Sequence, residues 1–303
     1  MLRNRKTLLI ALAITAGLGL GGRAWGASEP FADLDNDGVF GPGDVAIGKL
    51  INNDGQFSTD KAEGAFKPQA GPVGIVVPDR FIGKKKAVVL KASGDITVLG
   101  DITVPGSGGV IFLLSNGGAV HVADNVRLFT DTIIQLIGLG DVEVGSSVEM
   151  RSRSNSFAMV ALSSQNGDVT VGDDANIGAA GLIELSTGEE TGGSVNVGEG
   201  SRIASGAGSA RLTAGDEVLM DGVRLSARTI VIGSHGSSRS GRSAGMGPGY
   251  ASVRNSQIRG TGGAASVHIY AEGGDGSTID ITRTKVQVKD RDALDLNADV
   301  IVR

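Results

Sequence analysis

The stretch Gly167-Asp168-Val169-Thr170-Val171-Gly172-Asp173-Asp174-Ala175-Asn176-Ile177 contains a turn, a short alternating strand, a second turn and another strand. Related stretches recur along the chain and begin at Gly94, Gly118, Gly140, Gly193 and Gly215, so that successive copies start 22 to 27 residues apart. Repeats of about 20 to 50 residues are typical of solenoids, in which each repeat forms one turn of a stack. We therefore predict an all-β fold, a single-stranded parallel β-helix of about eight coils over residues 92–303.

The alternation within each copy predicts which side chains point inward. Val169 and Val171, like Val142 and Val144, occupy every second position, and the residue between them varies. Side chains of a strand point alternately to opposite faces, and stacked strands lie about 4.8 Å apart. The valines are therefore expected to form ladders in the interior, while the outward position holds Thr97, His121, Glu143, Thr170 and Asn196. Second strands are predicted at Val110–Leu114, Ile133–Ile137, Phe157–Leu162, Leu182–Leu185 and Ala210–Thr213.

Composition limits the classes of function. The 303 residues include 49 glycines, no cysteine and 4% aromatic residues, and the net charge is -5. Abundant small and β-branched residues suit a narrow layered β-structure. The lack of cysteine excludes disulfides, thiolate metal sites and a cysteine nucleophile. The mild negative charge argues against a nucleic-acid partner, which would favour a basic stripe.

The N-terminus has the pattern of a signal peptide. Basic residues at Arg3, Arg5 and Lys6 precede the apolar run Leu8–Leu20, and small residues around Ala24–Gly26 fit a cleavage site. We predict a signal peptide over residues 1–26 and a secreted protein that is extracellular, periplasmic or at the cell surface; an uncleaved signal anchor is the alternative. No later stretch reaches about 18 consecutive apolar residues, so we expect no membrane span after cleavage.

Residues 33–44 have the spacing of a calcium loop. Asp33, Asp35, Asp37 and Asp44 hold loop positions one, three, five and twelve, and Gly38 holds position six. Ca²⁺ prefers six to eight oxygen ligands, and alternate residues of a tight loop point inward. We predict a Ca²⁺ site made by these four aspartates and the Val39 carbonyl, followed by a helix from Asp44 to Ile51. The alternative is an Asp- and Gly-rich linker that binds nothing.

This loop has aspartate at position twelve and resembles the EF-hand loops of dockerins. The resemblance covers about 35 residues within the segment 27–67. The resemblance implies a small α-helical calcium-binding module. A dockerin carries two such loops, and the second copy, at Asn53–Asp60, lacks the earlier acids and has Asp60 one residue too early. That departure weakens the implication of cohesin binding.

Residues 68–91 are predicted to form a linker and a cap. Three prolines punctuate the linker, and the segment Gly74–Leu90 is expected to cover the first coil, because a solenoid otherwise exposes an unpaired edge. The three lysines Lys84–Lys86 are interpreted as a solvated face; a patch that binds acidic polysaccharide is the alternative.

The array over residues 92–303 resembles the β-helices of secreted haemagglutinin-type adhesins and, more distantly, of pectate lyases. The resemblance rests on the style of the repeats and implies a right-handed helix. Residues 235–249 interrupt the repeats with a Gly-, Ser- and Arg-rich loop, and the strand at Val300–Val302 leaves a last coil that could associate with another copy.

No catalytic residue is assigned from the sequence. The best acid pair is Asp141 and Asp168, at equivalent corners of neighbouring coils, with Arg151 and Arg153 as basic neighbours; ordinary turn chemistry is the simpler interpretation of the acids. His121, His235 and His268 have no evident reason to converge.

The favoured hypothesis is a secreted, non-catalytic β-helix protein with a calcium module, structural or adhesive at the cell surface or in the extracellular matrix. The alternative is a polysaccharide lyase or glycoside hydrolase with a dockerin-like attachment module. Expected partners are a polysaccharide or a surface protein.

Overall fold

The computed structural model describes residues 29–35, 37–41, 44–59, 72–154, 157–188, 191–236 and 247–303. The predicted signal peptide, Asp60 and most of the 235–249 loop lie outside these residues. In the described part of the chain, the protein is an all-β parallel solenoid of about eight turns with one short α-helix.

Three strands build each turn. In chain order the elements begin with β1 (Phe31–Asp33), β2 (Val45–Ala46), α1 (Gly48–Asp54), β3 (Gln56–Ser58), β4 (Gly74–Val77), β5 (Phe81–Ile82), β6 (Ala87–Ala92), β7 (Ile96–Val98), β8 (Ile102–Thr103), β9 (Val110–Ser115), β10 (Val120–Val122), β11 (Arg127–Thr130), β12 (Ile133–Gly138), β13 (Val142–Val144), β14 (Glu149–Ser152) and β15 (Met159–Ser164). They continue with β16 (Val169–Val171), β17 (Asn176–Ala179), β18 (Leu182–Thr187), β19 (Val195–Val197), β20 (Arg202–Ser205), β21 (Ser209–Ala214), β22 (Glu217–Asp221), β23 (Arg224–Ala227), β24 (Thr229–Ser234), β25 (Tyr250–Arg254), β26 (Gln257–Gly260), β27 (Ser266–Ala271), β28 (Thr278–Asp280), β29 (Lys285–Gln287), a 3-10 turn (Arg291–Ala293), β30 (Leu294–Asn297) and β31 (Val300–Val302).

The strands form three long sheets along the solenoid. Sheet A has the order β2-β1-β4-β7-β10-β13-β16-β19-β22-β25-β28-β31, sheet B the order β3-β6-β9-β12-β15-β18-β21-β24-β27-β30, and sheet C the order β5-β8-β11-β14-β17-β20-β23-β26-β29. From β4 onward the chain passes through sheets A, C and B in each turn, and every neighbouring pair is parallel. The exceptions are β1 with β2 and β1 with β4, which pair antiparallel at one end of sheet A.

The predicted valine ladders are confirmed. Val142 pairs with Val169 and Val144 with Val171, and all four side chains are buried. The intervening Glu143 and Thr170 face outward. Sheet B adds a second ladder, in which Leu113, Leu136, Leu162, Leu185 and Leu212 stack in register. These ladders line the interior with aliphatic side chains, while the buried rings of Phe31 and Phe81 lie in the first turns.

In four turns a serine or threonine closes the corner from sheet B to sheet A, at Ser115, Ser164, Thr187 and Ser234; the equivalent residue of the turn between Ser115 and Ser164 is Gly138. Ser164 Oγ donates to the Gly140 carbonyl of the previous turn at 2.7 Å and accepts from the Gly167 amide at 2.8 Å. Ser115 makes the same two contacts two turns earlier, with Gly94 and Gly118. Buried polar groups must be paired to avoid a desolvation cost, and this corner pairs each of them.

The corner from sheet A to sheet C is marked by a recurring backbone conformation. From the β10–β11 corner onward, one residue of each turn there takes a left-handed conformation, at Asn125, Ser147, Asp174, Gly200, Gly222, Asn255 and Arg283. Five of the seven have a side chain. Asn and Asp tolerate this conformation because their short polar side chains can hydrogen-bond locally.

The segment ahead of the array is joined to the solenoid. Ile51 of helix α1 and Ile47, which directly precedes the helix, are buried in the same core as Ile75 of β4. The strands β4, β5 and β6, in the region predicted as a linker and cap, pair in register with the next turn. In the described structure, α1 and the antiparallel pair β1–β2 lie at this end of the stack.

Candidate metal centre

The Asp33–Asp44 loop joins two antiparallel strands. Phe31 pairs with Ala46 and Ala32 with Val45, and the Ile47 amide donates to the Pro30 carbonyl at 2.8 Å. The helix predicted from Asp44 is therefore wrong in its first turn, since Val45–Ala46 is a strand and the helix starts at Gly48. Among the described residues of 27–67, a short helix follows a strand–loop–strand unit, and the predicted helical module is not seen.

The loop brings the four predicted carboxylates together. One oxygen from each of Asp33, Asp35, Asp37 and Asp44 lies within 4.8 Å of one from each of the others. Asp33 is buried, Asp44 is partly buried, and Asp35 and Asp37 are exposed. Four carboxylates at this separation repel one another, and a bound cation would relieve that repulsion.

Hydrogen bonds to the backbone fix two of these side chains across the loop. Asp44 accepts from the Leu34 amide at 2.9 Å with Oδ1 and from the Gly41 amide at 2.8 Å with Oδ2. Asp33 Oδ2 accepts from the Gly38 amide at 2.9 Å. Asp44 thus ties the end of the loop to its beginning and middle.

Phe40 anchors the loop to the solenoid. Its ring meets the buried ring of Phe31 edge-on, with the centroids 5.4 Å apart. Such aromatic pairs add about 0.5 to 1.5 kcal/mol beyond burial. The neighbouring Val39 has an exposed side chain and donates its amide to Asp37 Oδ1 at 2.7 Å. The spacing of acids gives no sign of the Phe40 contact, which depends on the packing of β1.

The donor set fits a hard divalent cation. All four side chains supply carboxylate oxygens, the ligands that Ca²⁺ prefers. Gly38 lies at φ 76°, in the left-handed region that lets the loop turn sharply. The Val39 carbonyl as a fifth ligand stays a prediction. Calcium would supply positive charge to a loop that otherwise concentrates four acids.

The described part of the second copy, residues 53–59, does not form a calcium loop. Asn53 lies at the end of α1, Gly55 is a left-handed C-cap whose amide donates to the Ile51 carbonyl at 2.7 Å, and Gln56–Ser58 is a strand. The sequence Asn53-Asp54-Gly55 is thus explained as a helix ending, which Gly commonly provides.

The acid pair Asp141 and Asp168 supports the stacking of turns. Asp141 Oδ1 accepts from the Asp168 amide at 2.8 Å, and Asp168 Oδ1 accepts from the Ser194 amide of the next turn at 2.8 Å. Asp95 accepts from the Ala119 amide in the same way. The recurring Gly-Asp pair therefore reflects one contact, in which a carboxylate caps an amide of the following turn. Arg151 lies on sheet C, away from this corner.

This contact predicts different effects for two substitutions of Asp168. Asp168→Asn keeps an oxygen for the Ser194 amide and is expected to unfold with nearly unchanged free energy. Asp168→Ala removes that acceptor and is expected to cost about 1 kcal/mol, the usual value of a hydrogen bond. Chemical denaturation of both variants measures this, and equal losses would contradict the proposed contact.

The three histidines have separate partners. His121 Nδ1 lies 2.9 Å from Glu143 Oε2 on sheet A. His268 Nδ1 lies 3.5 Å from Asp295 on sheet B, and His235 Nε2 lies 3.1 Å from the Tyr270 hydroxyl. The hydrogen bond to Glu143 raises the pKa of His121 above 6.5, although burial opposes it, and the charges of Glu143, Asp95 and Asp141 raise it further. The same hydrogen bond lowers the pKa of Glu143 below 4.5, against the effect of burial.

These shifts predict a pH window for the pair. Protonated His121 stabilises the fold below about pH 6.5, and that stability is lost as the pH rises through its raised folded-state pKa. Ionised Glu143 contributes above about pH 4.5, and its part is lost as the pH falls through its lowered pKa. The melting temperature of wild type should therefore exceed that of His121→Gln most between these values and least near pH 8. A difference that is constant with pH would contradict this.

No protein-family model, curated protein or solved structure matches the chain. In the part of the chain that the structure describes, every helix is too short or too polar to cross a lipid bilayer.

Proposed function

We propose that the protein is a secreted, non-catalytic β-solenoid scaffold whose first turns are held by calcium at Asp33, Asp35, Asp37, Asp44 and the Val39 carbonyl. The convergence of four carboxylates within 4.8 Å carries this proposal. The loop closes the antiparallel pair β1–β2, and β1 in turn pairs with β4 of the array. A cation bound in the loop would therefore stabilise the end of sheet A as well as the loop.

The proposed role is structural or adhesive, at the cell surface or in the extracellular matrix. The acids at the corners of the array accept backbone amides of the next turn, so they have a use in building the stack. We further propose a right-handed winding and, as partners, a polysaccharide or a surface protein. Val300, Ile301 and Val302 of β31 are exposed, which supports self-association through the last coil.

A cleavage assay distinguishes this scaffold from the alternative, a polysaccharide lyase or glycoside hydrolase. The full chain would be incubated with pectin and alginate in the presence and absence of calcium. The scaffold proposal expects no new reducing ends and no unsaturated products. Reproducible products that disappear in Asp141→Asn or Asp168→Asn would establish the alternative.

A further inference from the structure

The outward face of sheet C concentrates basic residues. Its exposed outward side chains include Arg127, Arg151, Arg202, Arg224, Arg259 and Lys285. Glu149 is the one acid at the outward strand positions of this sheet, and it pairs with Arg151 at 2.6 Å and Arg127 at 3.8 Å. The chain as a whole carries a net charge of -5, so this face differs in sign from the rest of the molecule.

The register places like charges opposite each other. Arg202 of β20 pairs directly with Arg224 of β23, on strands about 4.8 Å apart. Within the described residues neither side chain forms a salt bridge. Like charges directly opposite in a sheet destabilise it. The pair therefore makes no stabilising contact with the described residues that would offset its repulsion, and a bound anion would do so.

A depression of about 520 Å³ lies beside these residues. Arg151, Arg153 and Arg202 line it, and it has no acidic lining residue. Gly178 and Ala204 contribute outward positions with little or no side chain. A Cβ at Gly178 would meet no atom closer than 4.0 Å, so steric crowding does not explain the glycine. The small residues leave room for a ligand to lie close to the sheet, between the arginines.

We propose that this arginine face, defined by Arg151, Arg153, Arg202 and Arg224, binds an acidic polysaccharide. The inference rests on the proposed scaffold function and names the class of its ligand. Guanidinium groups match carboxylate and sulfate groups in a two-pronged geometry. A parallel solenoid places guanidinium groups at intervals along its axis, and a linear acidic polymer carries its acidic groups at intervals along its chain.

The polar neighbours favour a polysaccharide over a nucleic acid. Amide and hydroxyl side chains, at Asn176, Ser226 and Gln257, lie next to arginines in the outward positions. This mixture suits a polymer in which acids are spaced among hydroxyl groups. Duplex DNA instead presents a charge about every 1.7 Å, which a denser basic surface neutralises.

The test measures binding of the full chain to four immobilised polymers in calcium-free buffer. Alginate supplies carboxylates, dextran sulfate supplies sulfates, dextran is the neutral control, and single-stranded DNA represents the other class of polyanion. We expect salt-sensitive binding to alginate or dextran sulfate, and none to dextran. Whichever of the two acidic polymers binds more tightly identifies the charged group. Absence of binding to both, or tighter binding to DNA, would overturn the inference.

Two variants localise the binding. Arg202→Glu is expected to weaken it by roughly tenfold or more, because it replaces an attraction with a repulsion. The matched control is Arg211→Glu, at another exposed arginine, on sheet B, for which we expect less than about a twofold change. Gly178→Val fills the depression without altering charge and should also weaken binding. Equal affinities of Arg202→Glu and Arg211→Glu would overturn the inference.

The outcome is separable from that of the proposed function. Because the buffer lacks calcium, failure of the calcium site leaves polymer binding intact. Cleavage of the bound polymer would contradict the proposal of a non-catalytic scaffold, but it would be consistent with polymer binding at the arginine face.

Discussion

Asp35→Asn is expected to remove the stabilisation that calcium gives the wild-type protein. Extracellular calcium modules of this kind have dissociation constants of about 10⁻⁴ to 10⁻³ M. At about one hundred times the dissociation constant, a ligand that binds only the folded state stabilises it by about 2.7 kcal/mol. For the tightest value in that range this requires about 10 mM calcium. Thermal unfolding with and without calcium measures the effect.

Asp35 is the informative position because its side chain is exposed and its hydrogen-bonded neighbours Asp33 and Asp44 stay in place. Without calcium, Asp35→Asn should unfold at the same temperature as wild type or slightly higher, since one of four mutually repelling charges is gone. A purely structural role for Asp35 would instead lower the melting temperature in both conditions.

The matched control is Asp275→Asn, the same change of charge at an exposed aspartate far along the chain. It should respond to calcium as wild type does. Magnesium should be a poorer ligand, because it requires near-ideal octahedral geometry and gives up its waters reluctantly. Equal calcium responses of wild type and Asp35→Asn would contradict the assignment of the loop.

Gly193→Ala is expected to destabilise the solenoid by about 3 kcal/mol, the upper part of the range for an overpacked site. Gly193 opens one of the repeats, and a Cβ there would lie 2.0 Å from the Gly167 carbonyl oxygen of the previous turn and 2.9 Å from Thr187 Cβ. A backbone oxygen cannot move aside as the end of a flexible side chain can. The stack would have to open locally, and chemical denaturation would report the loss.

Gly178→Ala provides the control within the same array. The added Cβ there has open space, and the backbone conformation is one that other residues adopt. Replacing such a glycine usually stabilises a protein by about 0.4 to 1 kcal/mol. If both substitutions had the same effect, the close approach of the turns at Gly193 would be refuted.

The architecture could be predicted because its signal is repeated. Val142 and Val169 alternate with polar residues in copy after copy, and strands such as Val110–Ser115 carry five apolar residues in a row. Sheet C gives a weaker signal, since a strand such as Arg202–Ser205 has one large apolar residue, Ile203. The sequence therefore does not predict the arginine face, although it marks Arg151 and Arg153 as basic neighbours of the acid pair Asp141 and Asp168.

The corners and the first helix could not be predicted for a different reason. Val45, Ala46 and Ile47 fit both a strand and the start of a helix, and pairing with β1 decides for the strand. The left-handed corner residues follow no single residue type, because a tight turn between sheets imposes the conformation on Ser147 and Arg283 as well. The carboxylates of the loop were predicted from spacing alone, but Phe40 was not, because its role depends on Phe31.

Titration calorimetry of calcium into the full chain tests the central claim most directly. We expect heat for one site per chain, with a dissociation constant of about 10⁻⁴ to 10⁻³ M, and loss of that heat in Asp35→Asn but not in Asp275→Asn. Absence of calcium heat in the wild-type protein up to millimolar concentrations, or an unchanged isotherm in Asp35→Asn, would contradict the calcium-bound scaffold.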